Sequence, residues 1–293
     1  MAAWHEHSQI AALAQEARTV FIQKRLLPEE QILSLARSRP LVFDFDDAIF
    51  TSPSGNRSFL AQRRVESRLR QVLSAARLVI AGNRYLAEYA GQYASEVMIL
   101  PTVVDVDRYP IKNHVAKEEV VIGWIGHSVN HPYLAALADV LQEVARSFRI
   151  RLLVVSDRDL DVPGLQVENR RWSEASEVGD ILDMDIGVMP LPDDPWSRGK
   201  CGLKAIQYMA AGIPVVCAAV GANVEIVRHG VDGYTASSFE DWAVGLSVLC
   251  KDHQRRMQLG LAARERVEAS YSFRMAAPLM IHALSRICRK GNM

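Results

Sequence analysis

The four cysteines of this chain, Cys201, Cys217, Cys250 and Cys288, lie far apart, and no C-x-x-C occurs. That excludes thiolate metal spacing and a disulfide framework, and it suits a reducing compartment. Net charge is missing too, with 34 Lys and Arg against 34 Asp and Glu. No global basic field exists to attract a polyphosphate backbone, so nucleic acid is not an expected partner. Long hydrophobic runs are also absent. The longest apolar stretch, around "GIPVVCAAVGANVEIV", is short and broken by glycine, which predicts no bilayer span. The N-terminal "MAAWHEHSQIAALAQEAR" has neither a basic n-region nor a long apolar segment, so it does not read as a signal peptide. His127 and His131 stand at i, i+4 without the carboxylate of H-E-x-x-H, and no metal is assigned. The expected location is the cytoplasm.

What is present is an ample core: 49% of the 293 residues are apolar and an ordinary 23% are charged. Short apolar runs alternate with helical periodicity, as in α/β units around parallel strands. Strands are expected at 19–23, 41–45, 77–83, within "SEVMIL", and at 120–126, 151–157, 185–191 and 213–220. Helices are expected after Pro28, at 58–77, through "HPYLAALADVLQEVARSF" and at 201–211, with mainly helix onward to 290. "RYPIKNHVAKEE" carries a proline and mixed charge with little apolar content, and reads as a linker. The division expected is a first domain at 1–109, a linker at 110–119, a second domain at 120–275 and a C-terminal helix at 276–293. The first block opens with a helix rather than a strand and glycine-rich turn, so it reads as the second half of a doubly wound domain.

Two stretches could carry chemistry. In "VVIGWIGHSVNHPYL", Gly123 and Gly126 bracket a strand end and Pro132 marks a helix start. Such a turn offers backbone N–H groups and the positive end of a helix dipole, which suits a diphosphate; a tight turn with no ligand explains it equally. In "PLPDDPWSRGKCGLKAIQYMAAGIPVV", Lys200 and Lys204 flank a helix start, where cations are disfavoured unless an anion binds. The alternative is that both lysines extend to solvent.

"GLKAIQYMAAGIPVV", "AAVGANVEIVRHGVDGY" and "DHQRRMQLGLAARERVEASYSF" resemble the C-terminal domain of retaining glycosyltransferases of the family-four type. The resemblance covers roughly 120–290, and "FIQKRLLP", "DFDDAIF" and "AGNRYLAEYA" resemble the later part of the N-terminal domain of the same group. It implies an α/β chain of GT-B type, two Rossmann-like domains with parallel sheets, the first incomplete. It implies sugar transfer from a nucleotide-sugar donor to a glycan or lipid-linked acceptor, with retention and without a metal or other cofactor. Carried across by position, the Gly126, His127 and Ser128 turn would face the donor pyrophosphate and Trp172 the nucleobase. Gly202 and Leu203 would meet the phosphates and Gln207 the ribose, while Asp46, Lys200 and Lys204 would be catalytic. The chain departs from the family at three points: the usual E-x7-E pair falls on Gly199 and Gln207, His127 replaces a basic phosphate pair, and the N-terminal glycine loop has no counterpart.

Two readings stand beside this one. "LVFDFDD", with Asp44 and Asp46 ending a strand, also resembles the opening motif of a haloacid-dehalogenase-type phosphatase. "RLLVVSD" with Ser156 and "GDILDMD" would supply its later motifs, but no lysine lies between Lys117 and Lys200 to serve the third. A chain that binds nucleotide-sugar without turnover is the other. The 57–77 segment, with Arg57, Arg63, Arg64, Arg68, Arg70 and Arg77 against Glu66, is either a solvated face or a peripheral contact to anionic lipid.

Overall fold

A computed structural model describes residues 17–51 and 57–290; the expected N-terminal helix lies outside the described residues. The chain divides into two compact units. Unit 1 comprises Met1–Thr102, Asp194–Cys201 and Ala276–Met293, and unit 2 comprises Val103–Asp193 and Gly202–Met275. The division is therefore not sequential: a short internal segment and the C-terminal helix group with the first unit. Among the described residues, no helix is long and apolar enough to cross a membrane.

Unit 1 is built on four parallel strands: β1 (Val20–Gln23), β2 (Leu41–Phe45), β3 (Leu78–Ala81) and β4 (Val97–Ile99), lying side by side in chain order. Each crossover steps the same way, and right-handed crossovers then deliver their helices to one face. That face buries Phe43, Phe45, Val79 and Ala81 against Ile32, Leu69, Val72, Leu73 and Leu86. The opposite face, with Val42, Leu78 and Ile80, would stay bare without the helix Phe273–Lys290, whose Ala283 and Ile287 cover it. Local chemistry sets the starts of these helices. Ser58 accepts from the Ala61 N–H ahead of Phe59–Ala75, and Asn83 accepts from the Leu86 N–H ahead of Arg84–Ala90. The Asn83 amide also donates to the carbonyls of Arg198 and Lys200, which ties the internal segment to this sheet.

Unit 2 holds six parallel strands: β5 (Val120–Ile125), β6 (Ile150–Ser156), β7 (Val167–Arg171), β8 (Ile186–Met189), β9 (Val215–Ala218) and β10 (Gly233–Ala236). Their spatial order is β10-β9-β8-β5-β6-β7. The chain leaves β5 toward one edge, returns, and runs from β8 toward the other, which is the doubly wound order with its switch point beside β5. Strands covered on both faces need apolar residues at every position, and all six residues of β5 are buried. Val121 and Ile125 face the helices Leu203–Ala210 and His253–Ser270. Ile122 and Trp124 face Leu134, Leu141, Trp242 and Leu246.

Three sequence expectations are corrected here. "HPYLAALADVLQEVARSF" is two short helices, His131–Ala135 and Ala138–Ala145. The strands β7 and β10 were not anticipated. Both are sheet edges, where half-solvated residues such as Glu168, Arg170 and Tyr234 interrupt the apolar run. The phosphatase reading also fails on topology: Asp44 lies on β2 of the four-stranded sheet and Asp46 just after it, whereas Ser156 ends β6 of the six-stranded one. Asp185 is buried at the far end of β8, where it accepts from the Val121 N–H and pairs with Lys112 and Lys117. One phosphate site would need those motifs on a single sheet.

Candidate functional site

In an open α/β sheet the ligand crevice lies beyond the carboxyl ends of the strands at the switch point. Unit 2 has a cavity of about 290 Å³ there. Ile125 and Gly126 close β5 and enter it with His127. Asp157 follows β6, Trp172 follows β7, and Leu203, Lys204 and Gln207 come from the first two turns of the Leu203–Ala210 helix. Glu177, at the start of Glu177–Leu182, completes the wall.

Glycine at two positions makes this geometry. A Cβ on Gly126 would meet the Lys204 Cε and Nζ at 2.6 Å and the Trp124 ring at 2.9 Å. Only a bare backbone lets the lysine lie across the strand end, where its ammonium sits 4.5 Å from the centroid of the buried Trp124 ring. Gly202 caps the helix in the left-handed region at φ 71°, and a Cβ there would strike Ile226 at 2.1 Å. No side chain caps this helix start, so its first N–H groups are not taken by a capping oxygen.

The turn after β5 is held from within. The Ser128 N–H and hydroxyl donate to the two carboxylate oxygens of Asp157, at 2.6 and 2.9 Å, and His127 Nδ1 accepts from the Val129 N–H. These bonds hold the Asp157 carboxyl down at a pKa of about 2, the backbone bond from Ser128 weighing most. Ser128 therefore braces the turn rather than lining the cavity, and sequence reading missed Asp157 as its partner. Behind the turn, the Ile125 N–H donates to the buried Tyr208 hydroxyl at 3.0 Å, and burial raises that phenol's pKa.

At the other end of the cavity Glu177 accepts from Trp172 Nε1 and from Gln207 Nε2, both at 2.9 Å. Gln207 also donates to the Tyr109 hydroxyl at 3.2 Å. Where position 207 carries no charge, the wall thus still holds a carboxylate, supplied by another helix. Nothing in the spacing of the sequence announced Glu177 or Tyr109. They reach Gln207 across 30 and 98 residues of chain.

The cavity brings together Gly126, His127, Trp172, Leu203, Lys204 and Gln207 from the sequence expectations; Gly202 and Ser128 stand just behind it. Asp46 and Lys200 belong to unit 1. Lys24, held at φ 53°, pairs with Asp46 and with Asp47 at 2.9 Å, and the Lys200 ammonium lies 3.8 Å from Asp47 and 4.7 Å from the Trp196 ring centroid. Burial raises the Asp44 pKa, against the bond it accepts from Gln23. The neighbouring Cys201 thiol is pushed up by burial to about 12, far from a reactive thiolate. Among the described residues, no group of three or more His, Cys, Asp or Glu is placed to hold a metal ion.

Residues 119–252 match the family described as glycosyl transferases group 1. A D-inositol 3-phosphate glycosyltransferase of Thermobispora bispora is 27% identical over 201 residues, which are 67% of this chain and 42% of that protein. The chain spans under half the length of the curated D-inositol 3-phosphate glycosyltransferases it matches. Among solved structures, the sucrose-phosphate synthase of Thermosynechococcus elongatus superposes with a TM-score of 0.76 at 15% identity, over 93% of this chain and 74% of its own. Anabaena HepE in complex with UDP and glucose gives 0.70 at 16% identity, over 96% and 81%. Those likenesses give the fold as GT-B, and the match of residues 119–252 makes this segment similar to the group 1 glycosyltransferases.

Proposed function

We propose that this chain transfers a sugar from a nucleoside diphosphate sugar to a hydroxyl of a glycan or lipid-linked acceptor, with retention and without a metal. The observation that carries it is the Lys204 ammonium, fixed over Trp124 and across Gly126 at the mouth of the unit 2 cavity. In such a transfer the bond from the anomeric carbon to the terminal phosphate oxygen breaks and one to the acceptor oxygen forms. The acceptor loses its proton, and the nucleoside diphosphate leaves with one more negative charge. A fixed cation and an uncapped helix start stabilise that charge where it develops. Trp172 offers a face for the base, and Glu177 with Gln207 offers acceptors for ribose hydroxyls. Asp46 is assigned to the acceptor side, and UDP, present in the Anabaena neighbour, is the first nucleotide to try.

The test is calorimetric titration of UDP, GDP and ADP, without metal, into wild type, Lys204→Ala and Lys200→Ala. One nucleotide should bind and weaken about ten- to hundredfold in Lys204→Ala, as loss of a charge-assisted bond of about 1.5–3 kcal/mol requires. Lys200→Ala should stay within about twofold. No binding by any nucleotide would end this reading. A second reading, binding without turnover, draws on the neutral Gly199 and Gln207, where the related enzymes carry carboxylates. Release of nucleotide from a radiolabelled donor by purified protein would rule it out.

The Phe59–Ala75 helix supports a peripheral membrane contact on the acceptor side. Phe59 and Leu60 are 68% and 75% exposed, and Arg63 stacks on Phe59. Apolar side chains beside arginines suit an anionic bilayer interface. Co-sedimentation with phosphatidylglycerol vesicles should fall in Phe59→Ser/Leu60→Ser; equal sedimentation of both proteins would remove the contact.

A further inference from the structure

A site that stabilises the charge of a leaving nucleoside diphosphate also binds that product more tightly than the donor. The unit 2 cavity holds a group of the opposite effect. Asp157, directly after β6, lines it together with Lys204 and the Gly126 turn.

Neutral donors surround the Asp157 carboxylate. The Ser128 N–H donates to Oδ1 at 2.6 Å and the Ser128 hydroxyl to Oδ2 at 2.9 Å. The Ser156 hydroxyl donates to Oδ1 at 3.3 Å, and His131 Nε2 lies 3.0 Å from that same hydroxyl. Such bonds fix a charge in place without cancelling it. The Ser128 backbone bond above all keeps the pKa at about 2, so the group is ionised throughout the neutral range. Two basic side chains approach: His127 Nε2 stands 3.6 Å from Oδ2, and Arg158 Nε stands 4.0 Å from it. Both are exposed, at 68% and 81%, where water screens such pairs. Arg171 binds the Asp157 backbone carbonyl and pairs with Asp159 instead. A brace for the turn is the ordinary role of such a residue. An amide oxygen would accept the same Ser128 bond, however, so bracing does not call for a charge.

We propose that Asp157 drives product release: its fixed charge opposes the nucleoside diphosphate more than the donor, because the product carries one more negative charge at its terminal phosphate. The inference rests on the nucleotide reading of this cavity. Lys204 and Asp157 then divide the work, one stabilising the leaving charge and the other limiting how long the product stays.

The test pairs UDP with UDP-glucose, GDP with GDP-mannose and ADP with ADP-glucose. Each is titrated at pH 8 into wild type, Asp157→Asn, Ser128→Ala and Asp159→Asn. At that pH the terminal phosphate of the product is doubly ionised, its second pKa lying near 6. The quantity compared is the ratio of donor Kd to product Kd. In Asp157→Asn the product should tighten more than the donor, raising the ratio about three- to tenfold, the scale of one unit charge in a partly solvated site. Ser128→Ala loses a bracing bond but keeps the charge, and should weaken both ligands alike. Asp159→Asn removes a carboxylate that does not line the cavity, and should leave the ratio where it was. A circular dichroism melt verifies that each variant folds. An unmoved ratio in Asp157→Asn, loss of both its ligands, or an equal change in Ser128→Ala would overturn the proposal. So would tightening of wild type by magnesium that Asp157→Asn loses, since the carboxylate would then serve a cation. Each of those outcomes leaves the nucleotide reading standing; no binding of any pair by any of the four proteins ends both.

Discussion

The two sheets end differently, and topology is the cause. Among the described residues of unit 1 the strands lie in chain order, without a reversal in the direction of travel. The carboxyl end of its β2 carries Asp44, Asp46 and Asp47, and Lys24 closes over two of them. In unit 2 the order turns at β5, the helices on either side part, and a cavity forms. Both ends collect charged residues. One arrangement pairs carboxylates with an ammonium within the cluster; the other lays an ammonium over an aromatic face beside an open space. In this chain the sheet in chain order ends in an ion cluster, and the sheet with a switch point ends at a pocket.

The comparison is sharpest in its response to acid. His114, buried and bonded to the Gly212 carbonyl, has its pKa lowered by burial from 6.5 to about 4. The unfolded chain takes up that proton below pH 6.5 and the folded chain only near 4, so this contribution to stability is present above 6.5 and lost as pH falls toward 4. At about 1.4 kcal/mol per unit the loss is at most about 3.5 kcal/mol. Asp44 of unit 1 moves the other way: its raised pKa favours folding below 3.8 and costs stability as pH rises. Hydrogen exchange at pH 4.5 against pH 7 should therefore deprotect unit 2 more than unit 1, and His114→Gln should flatten the unit 2 response. Equal loss in both units would break the distinction.

Next in size is Gly126→Ala. The new methyl displaces Lys204 and presses on the buried Trp124, an overpacking cost of about 1–3 kcal/mol. Nucleotide affinity should fall with it, while the equivalent strand end of unit 1 is untouched. A melt unchanged within error would show that the lysine has another path. A smaller effect is expected for Glu177→Gln. The carboxylate that Trp172 and Gln207 orient becomes a neutral amide, and preference for a ribonucleotide over its 2′-deoxy form should shrink about fivefold, roughly 1 kcal/mol, as for one hydrogen bond. Calorimetry with the nucleotide that binds wild type and its deoxy analogue measures this; an unchanged ratio would remove Glu177 from ribose recognition.

The smallest effect belongs to unit 1. Lys24→Gly relieves about 1–2 kcal/mol of left-handed backbone strain. It also surrenders two half-exposed ion pairs worth about 0.2–1 kcal/mol each. The midpoint of a urea melt should stay nearly where it is. A large destabilisation would mean that the cluster holds unit 1 together.

Much of the architecture was legible in the residues. Continuous apolar runs such as "VVIGWI" and "LLVVS" announce strands buried on both faces, since a parallel sheet leaves no position for a polar side chain. Where solvent reaches one side, as in "VENRR" and "GYTA", that signal vanishes and both edge strands of unit 2 were missed. The turn at Gly126 and the helix start at Gly202 were legible as such, because a close backbone approach and a left-handed cap both need glycine.

The sequence by itself determined the αβ alternation, the strands buried on both faces and the turn at Gly126, all of which are written in the local order of residue types. Only the tertiary structure decided which residues share a wall. It put Asp157 on Ser128 and Glu177 between Trp172 and Gln207, and it returned the C-terminal helix to cover β2 and β3. The reason is physical: a hydrogen bond or an apolar contact depends on distance in space, and residues far apart along the chain carry no periodicity that records their meeting.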